Sequence, residues 1–247
     1  GYFKYSGLSE SVSDVSAHIE VRQNGQFLDQ TKVAITELEL SLGGDRSSGE
    51  LFRSQLLSNP ALRGQLKGNF KPSKISQMMY LEDLAMDGER FSYDLAFNGN
   101  QNSILREAYQ EIEFSGEASI LNSSIAYSNY PSVQIRTLDA KLNPFQIELQ
   151  NLDIKGGKSD FKGDLTVFNP LAYFDENNKP SLSGTLQSEQ LFVDEWMPED
   201  TDDNDQNESE VLIATPDAIG LVPVDLDLNY KAGNIEAMDY QFSEVDG

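Results

Sequence analysis

The chain has 247 residues, with 18 Lys and Arg against 41 Asp and Glu, a net charge of −23, one His and no Cys. Such acidity excludes a protein built to neutralise nucleic-acid phosphates, the missing cysteines exclude disulfide frameworks, zinc fingers and thiol nucleophiles, and a lone His18 excludes multi-histidine metal centres. No apolar run approaches the roughly 20 residues of a spanning helix, and a chain that opens at Gly1 without Met and breaks off at Gly247 within a repeating pattern reads as a piece of a longer protein.

Taken in chain order, the dominant period is two. That is the mark of strands with one apolar and one polar face. Val15, Ala17, Ile19 and Val21 alternate with Ser16, His18, Glu20 and Arg22, and Asn24-Gly25 signals a turn. A short helix is expected over 73–79, after Pro72. Phe91, Tyr93, Leu95 and Phe97 alternate with polar and small residues up to Asn98. Residues 102–112 place Ile104, Leu105, Ala108, Tyr109 and Ile112 at helical spacing behind a cap at Asn102 or Ser103, so a helix is expected there. Phe161, Gly163, Leu165 and Val167 form another alternating set. Asn169-Pro170 predicts a capped turn through Phe174, and 194–197 a final short turn. Residues 198–210 carry seven carboxylates and no base, and read as a disordered acidic loop. Val222, Val224, Leu226, Leu228 and Tyr230 resume the alternation. Short strands at such spacing predict an extended, mainly antiparallel sheet with few helices.

The chain also repeats itself. Val33, Ile35, Leu38, Glu39 and Leu40 match Ile147, Leu149, Leu152, Asp153 and Ile154 at an offset of 114. In both copies the apolar parity slips after the second residue, which predicts a shared bulge. Both copies continue to a Gly pair, Gly43-Gly44 and Gly156-Gly157, and then to Gly-acid-Leu, at Gly49-Glu50-Leu51 and Gly163-Asp164-Leu165. Pro60-Ala61-Leu62-Arg63-Gly64-Gln65-Leu66 matches Pro180-Ser181-Leu182-Ser183-Gly184-Thr185-Leu186 at an offset of 120. The expected organisation is a first unit over 1–120, a second over 121–197, the acidic loop over 198–210, and a third, truncated unit over 211–247, all of which can share one continuous domain. Units that cannot bury an apolar face alone stack side by side into one long sheet. Its apolar face then either fills a core or lines an open trough, and alternation fits both.

Three segments carry a family resemblance. They are 31–51 (TKVAITELELSLGGDRSSGEL), 152–165 (LDIKGGKSDFKGDL) and 182–196, which opens LSGTLQS and closes LFVDEW. In order and spacing they resemble the repeated element of bacterial AsmA-like proteins, and the likeness runs from about Val12 to Asp246. That family is similar to TamB and to bridge-like lipid-transfer proteins. The resemblance implies a curved, taco-like open sheet, an inner-membrane anchor elsewhere in the parent protein, and a periplasmic location in a Gram-negative bacterium. It also implies a role in outer-membrane biogenesis, with phospholipid tails carried along an apolar β-groove. Envelope membranes would be met through other parts of the parent. No catalytic residue, cofactor or metal comes with it, so a non-enzymatic protein is expected. The residues expected to line the groove are Ile19, Val21, Ile35, Leu66, Phe97, Ile135, Leu149, Phe161, Leu165, Leu186 and Leu226.

Two rival functions accompany this reading. One is a filled-core scaffold assisting outer-membrane protein assembly. The other is a hydrolase on a β scaffold, for which no acid–base pair can be named. The stretch from Asp203 begins like a calcium loop but has Glu208 where Gly is needed and Ala214 where Glu is needed, so a solvated loop is expected. His18 is expected on a polar surface. Trp196 with Phe192 and Met197 is expected to close a unit by packing rather than to anchor at a membrane, and the 102–112 helix to cross over and cover one end of the sheet.

Overall fold

The computed structural model describes residues 12–196 and 225–247, apart from 43, 74–83, 107, 109–110, 128–130, 175–178 and 239. The acidic stretch 198–210 and, beyond Ser73, the helix expected over 73–79 lie outside the described residues. The alternating segments build twelve strands: β1 (Val12–Gln23), β2 (Thr31–Leu42), β3 (Asp45–Ser54), β4 (Ala61–Phe70), β5 (Leu84–Asn100), β6 (Glu113–Tyr127), β7 (Val133–Leu142), β8 (Gln146–Gly156), β9 (Ser159–Phe168), β10 (Ser181–Phe192), β11 (Asp225–Ala237) and β12 (Tyr240–Asp246). They form one curved sheet in sequence order from β1 to β12, and β1 and β12 remain unpaired edges, so the sheet does not close.

Every neighbouring pair is antiparallel except β10 and β11. That pair departs from the antiparallel expectation. Ser181 faces Asp225 and Phe192 faces Glu236, so β11 starts at the same end of the sheet as β10. A parallel pair requires a crossover, whereas a tight turn suffices for an antiparallel one.

The repeat is reproduced residue by residue in the hydrogen-bonded register. Ile35 faces Leu51 and Leu38 faces Gly49 on β2–β3, and Leu149 faces Leu165 and Leu152 faces Gly163 on β8–β9. Leu51 and Gly49 then face Gly64 and Leu66, just as Leu165 and Gly163 face Gly184 and Leu186. The parity slip is a bulge in both copies. Glu37 (φ 50°) and Asn151 (φ 54°) take left-handed backbone, and the register shifts between Ile35 and Leu38 and between Leu149 and Leu152. The extra residue returns the apolar side chains to the face they would otherwise leave. The leucine after each bulge, Leu38 or Leu152, is among the few buried apolar residues, with Ile135, Ala172 and Ala232. The boundary expected at 120/121 falls inside β6, and the ladder runs through it.

Helical structure is shorter than the spacing predicts. Helix α1 covers only Gln101–Leu105, and its cap is Asn100, whose Oδ1 accepts from the Ser103 amide. At Arg106 the backbone leaves the helix (φ −96°, ψ 4°), and Glu111 folds back to accept from Ser103 Oγ (2.6 Å) and the Arg106 guanidinium (3.0 Å). These bonds tie Glu111 to the end of the helix, where the spacing predicts that it would continue to residue 112. Ile104 and Leu105 point into solvent rather than onto the sheet. Pro170–Phe174 and Val193–Trp196 are 3-10 turns at the two places where short turns are predicted. Asn24-Gly25 opens a longer connection, closed by the 3-10 turn Leu28–Gln30 and an Asn24 N–H···O=C Gln30 bond of 3.2 Å.

Candidate functional site

Period-two geometry and the bulges together deliver one apolar face. Ile19, Ile35, Leu51, Gly64, Phe97 and Phe114 face one another across six strands. Leu149, Leu165, Gly184 and Leu228 do so across β8 to β11, beside Leu152, Gly163, Leu186 and Tyr230. Ile135, Ile154 and Phe161 extend the face on β7 to β9, and Leu182 opposite Leu226 brings it to the start of β11. All eleven residues singled out in the sequence therefore share one face. From β1 to Ala232 of β11 the register places two charged residues on it, Asp45 and Arg53, at opposite ends of β3.

This face is shielded by its own lateral neighbours and by no second sheet among the described residues. Ile135 is buried, at 6% exposure. Ile35, Leu66, Phe97, Leu149, Phe161, Leu165 and Leu186 are half-buried. Ile19, Val21 and Leu226, near the sheet edges, are more than 60% exposed. The large side chains fold over glycines opposite them. A Cβ built on Gly64 would lie 2.7 Å from Leu51 Cδ2 and 3.2 Å from Phe97 Cζ, and one on Gly184 would collide with the Asp164 carbonyl oxygen. Glycine is thus the residue that lets Leu and Phe lie flat along the sheet. Further lining comes from residues the sequence analysis did not single out. Phe70, Phe91 and Tyr93 form a tilted aromatic group with ring centroids 4.9–6.2 Å apart, and Tyr93 Oη hydrogen-bonds Ser47 Oγ at 2.7 Å across Gly68. The parity rule that selected Phe97 applies equally to them.

The opposite face is polar. Lys67, Asp94, Glu117, Lys141 and Glu148 follow one another across β4 to β8. Opposite charges face each other at the Lys67–Asp94, Glu117–Lys141 and Lys141–Glu148 steps, as cross-strand pairing favours. His18 lies exposed on this face, opposite Thr36.

One end of the apolar face is capped. Trp196 packs over Gly156, meets Phe161 edge-on at 6.3 Å, and donates from Nε1 to Ser159 Oγ at 3.3 Å. The fully buried Ser159 hydroxyl also accepts from the Phe192 amide at 2.9 Å. Trp196 is a packing residue in this structure, with Lys158 lying over the Phe192 ring beside it.

Among the described residues no group of three or more His, Asp or Glu is placed to hold a metal ion. No described helix is long and apolar enough to cross a membrane. The carboxyl of Asp29 is held below its usual range by Ser58, whose hydroxyl and amide both bond to it, and by the Leu57 amide. What the described residues offer chemically is a continuous apolar surface. No protein-family model, curated protein or solved structure matches the chain.

Proposed function

We propose that this chain is a non-enzymatic segment of an AsmA-like envelope protein, and that its apolar face holds and conducts phospholipid acyl chains between the inner and outer membranes. The parent protein would be anchored in the inner membrane and project into the periplasm of a Gram-negative bacterium. One observation carries the reading: an apolar face, nearly free of charge, continues across the strand ladder, and no second layer among the described residues covers it. Twelve strands at about 4.8 Å spacing span roughly 53 Å. Each methylene laid on such a surface gains about 0.8 kcal/mol, while a headgroup stays in water beyond the strand ends. A filled-core scaffold for outer-membrane protein assembly needs a second layer over this face, and the described residues supply none.

The test is uptake of a fluorescent-acyl phosphatidylethanolamine by the purified chain, read by comigration on a native gel. Wild type binds the probe, Leu186→Glu and Leu149→Glu bind at least tenfold less, and Thr185→Glu on the polar face binds normally. Equal uptake by all four, or none by the folded wild type, overturns the proposal.

A further inference from the structure

The strand ends form two rims. One rim carries the β1–β2, β3–β4, β5–β6, β7–β8 and β9–β10 connections, and the first four of them bear exposed apolar side chains. Phe27, Leu28, Leu57, Ile104, Leu105 and Phe145 stand there with 55–76% of their surface exposed. On the connections of the opposite rim, Met238 is the one large apolar residue so exposed among the described residues. The exposed tips are not loose. Asp29 Oδ1 accepts from the Leu57 and Ser58 amides (2.7 and 3.0 Å), tying the first connection to the second. Pro60 O accepts from the Gln101 amide (2.9 Å) and Asn59 Oδ1 from the Asn102 amide (3.2 Å), tying the second to the third. Asn143 Oδ1 accepts from the Phe145 amide at 3.0 Å, and Phe145 O receives the Asn169 amide at 2.8 Å. A hydrogen-bonded rim that holds apolar side chains in water marks a contact surface.

Behind these tips lies a basic recess, in a chain of net charge −23. It has a volume of about 520 Å³ and lies on the polar face of the sheet, where Arg22, Lys32 and Arg63 line it over Phe52 and the alanines 34 and 61. The Arg63 guanidinium lies 4.7 Å above the Phe52 ring. Glu20 is the one carboxylate in the lining, and it is engaged by Arg22 at 2.7 Å. Lys32 and Arg63 form no ion pair among the described residues.

We propose that this rim docks on the surface of a phospholipid bilayer containing anionic lipid, with the apolar tips entering the interface and the basic recess receiving headgroup phosphates. The four connections that bear the tips lie two strands apart, so the tips form a line of about 30 Å with a step of about 10 Å. A fluid interface accommodates such a line of separate tips, while a protein partner needs a matching pocket for each. Apolar insertion backed by Arg and Lys is the general form of interfacial binding, and the recess, with three bases to one carboxylate, is opposite in charge to the lipid. The docking is independent of acyl-chain conduction, since a rim can seat on a bilayer whether or not the sheet face carries lipid.

The test is flotation of the 247-residue chain with vesicles of phosphatidylcholine alone or with phosphatidylglycerol added. Wild type floats with the mixed vesicles and is released by salt. Phe27→Ser/Leu57→Ser/Phe145→Ser, at exposed positions and shown folded by circular dichroism, loses at least tenfold in partition. Lys32→Glu/Arg63→Glu loses the preference for phosphatidylglycerol. Leu186→Glu, on the sheet face, floats like wild type even though acyl-probe uptake is lost. Failure of wild type to float, unchanged flotation of the triple variant, or loss of flotation on Leu186→Glu alone overturns the docking proposal. Wild type that floats yet takes up no acyl probe supports rim docking and refutes the conduit instead.

Discussion

Strands β2–β4 and β8–β10 are one three-stranded unit built twice, and they part at the fourth strand. Inside the unit the two copies share bulge, register and glycine positions. Even the closing contact is shared in kind. The Lys71 amide after β4 is held by Asp45 Oδ2 (3.0 Å), and the Phe192 amide at the end of β10 by Ser159 Oγ (2.9 Å), with Asp45 and Ser159 in corresponding positions. Beyond that point β5 returns antiparallel to β4, whereas β11 runs parallel to β10. Side-chain complementarity fixes the interior of a unit, and the connector alone fixes how the next strand joins it. The apolar face survives both joints, because it depends on parity and not on strand direction.

The largest expected effect comes from filling a glycine in each copy. Gly64→Ala and Gly184→Ala both drive a Cβ into a neighbouring carbonyl oxygen. Gly184 also has a φ of 151°, in the region that L-residues avoid. Urea unfolding should show a loss of about 3 kcal/mol for Gly184→Ala, and about 1–2 kcal/mol less for Gly64→Ala. Equal losses would mean that the backbone strain is not a real difference between the copies.

The leucines after the bulges come next. Leu38→Ala and Leu152→Ala each remove a side chain left only 8% exposed. Each should cost about 2–3 kcal/mol, and the two should agree within about 1 kcal/mol. A large disparity would show that only one copy packs its bulge tightly.

Smaller still is the strain in the bulges themselves. Glu37→Gly should stabilise by about 0.5–1 kcal/mol, and Asn151→Gly should be near neutral, because Asn tolerates left-handed backbone far better than Glu. Thermal unfolding of the two variants gives the comparison directly.

Asp29 ties the first two rim connections together and gives the smallest effect, visible only with pH. Its carboxyl is depressed in the fold by Ser58 and by the Leu57 and Ser58 amides. The tie is therefore fully present above the ordinary carboxyl value of about 3.9 and is lost as pH falls through the lowered folded value. Hydrogen exchange at the Leu57 and Ser58 amides should accelerate on acidification, beyond its intrinsic pH dependence, in wild type and not in Asp29→Asn.

Much of this was written plainly in the sequence. The parity of Ile19, Ile35, Phe97, Leu165 and Leu186 placed them on one face without any structure, and the matched slips at Glu37 and Asn151 announced the bulges. The parallel β10–β11 joint was not legible, because direction is decided by a connector with no period of its own. The helix over 102–112 was overestimated, because apolar spacing does not register the Ser103–Glu111–Arg106 bonds that close the loop early. The rim tips were missed for a related reason. Phe27, Leu57 and Phe145 sit in turns, where no periodicity tells an exposed apolar residue from a buried one.

The central claim, that the apolar face carries acyl chains, is tested most directly by site-specific photo-crosslinking in living cells, with the crosslinker in the full-length parent at Leu186 or Thr185. These adjacent residues of β10 face Gly163 and Asp164 on opposite sides of the sheet. Phospholipid attached at Leu186 and absent at Thr185, by mass spectrometry, is the predicted result. Lipid at neither position in folded protein, or equally at both, would contradict it.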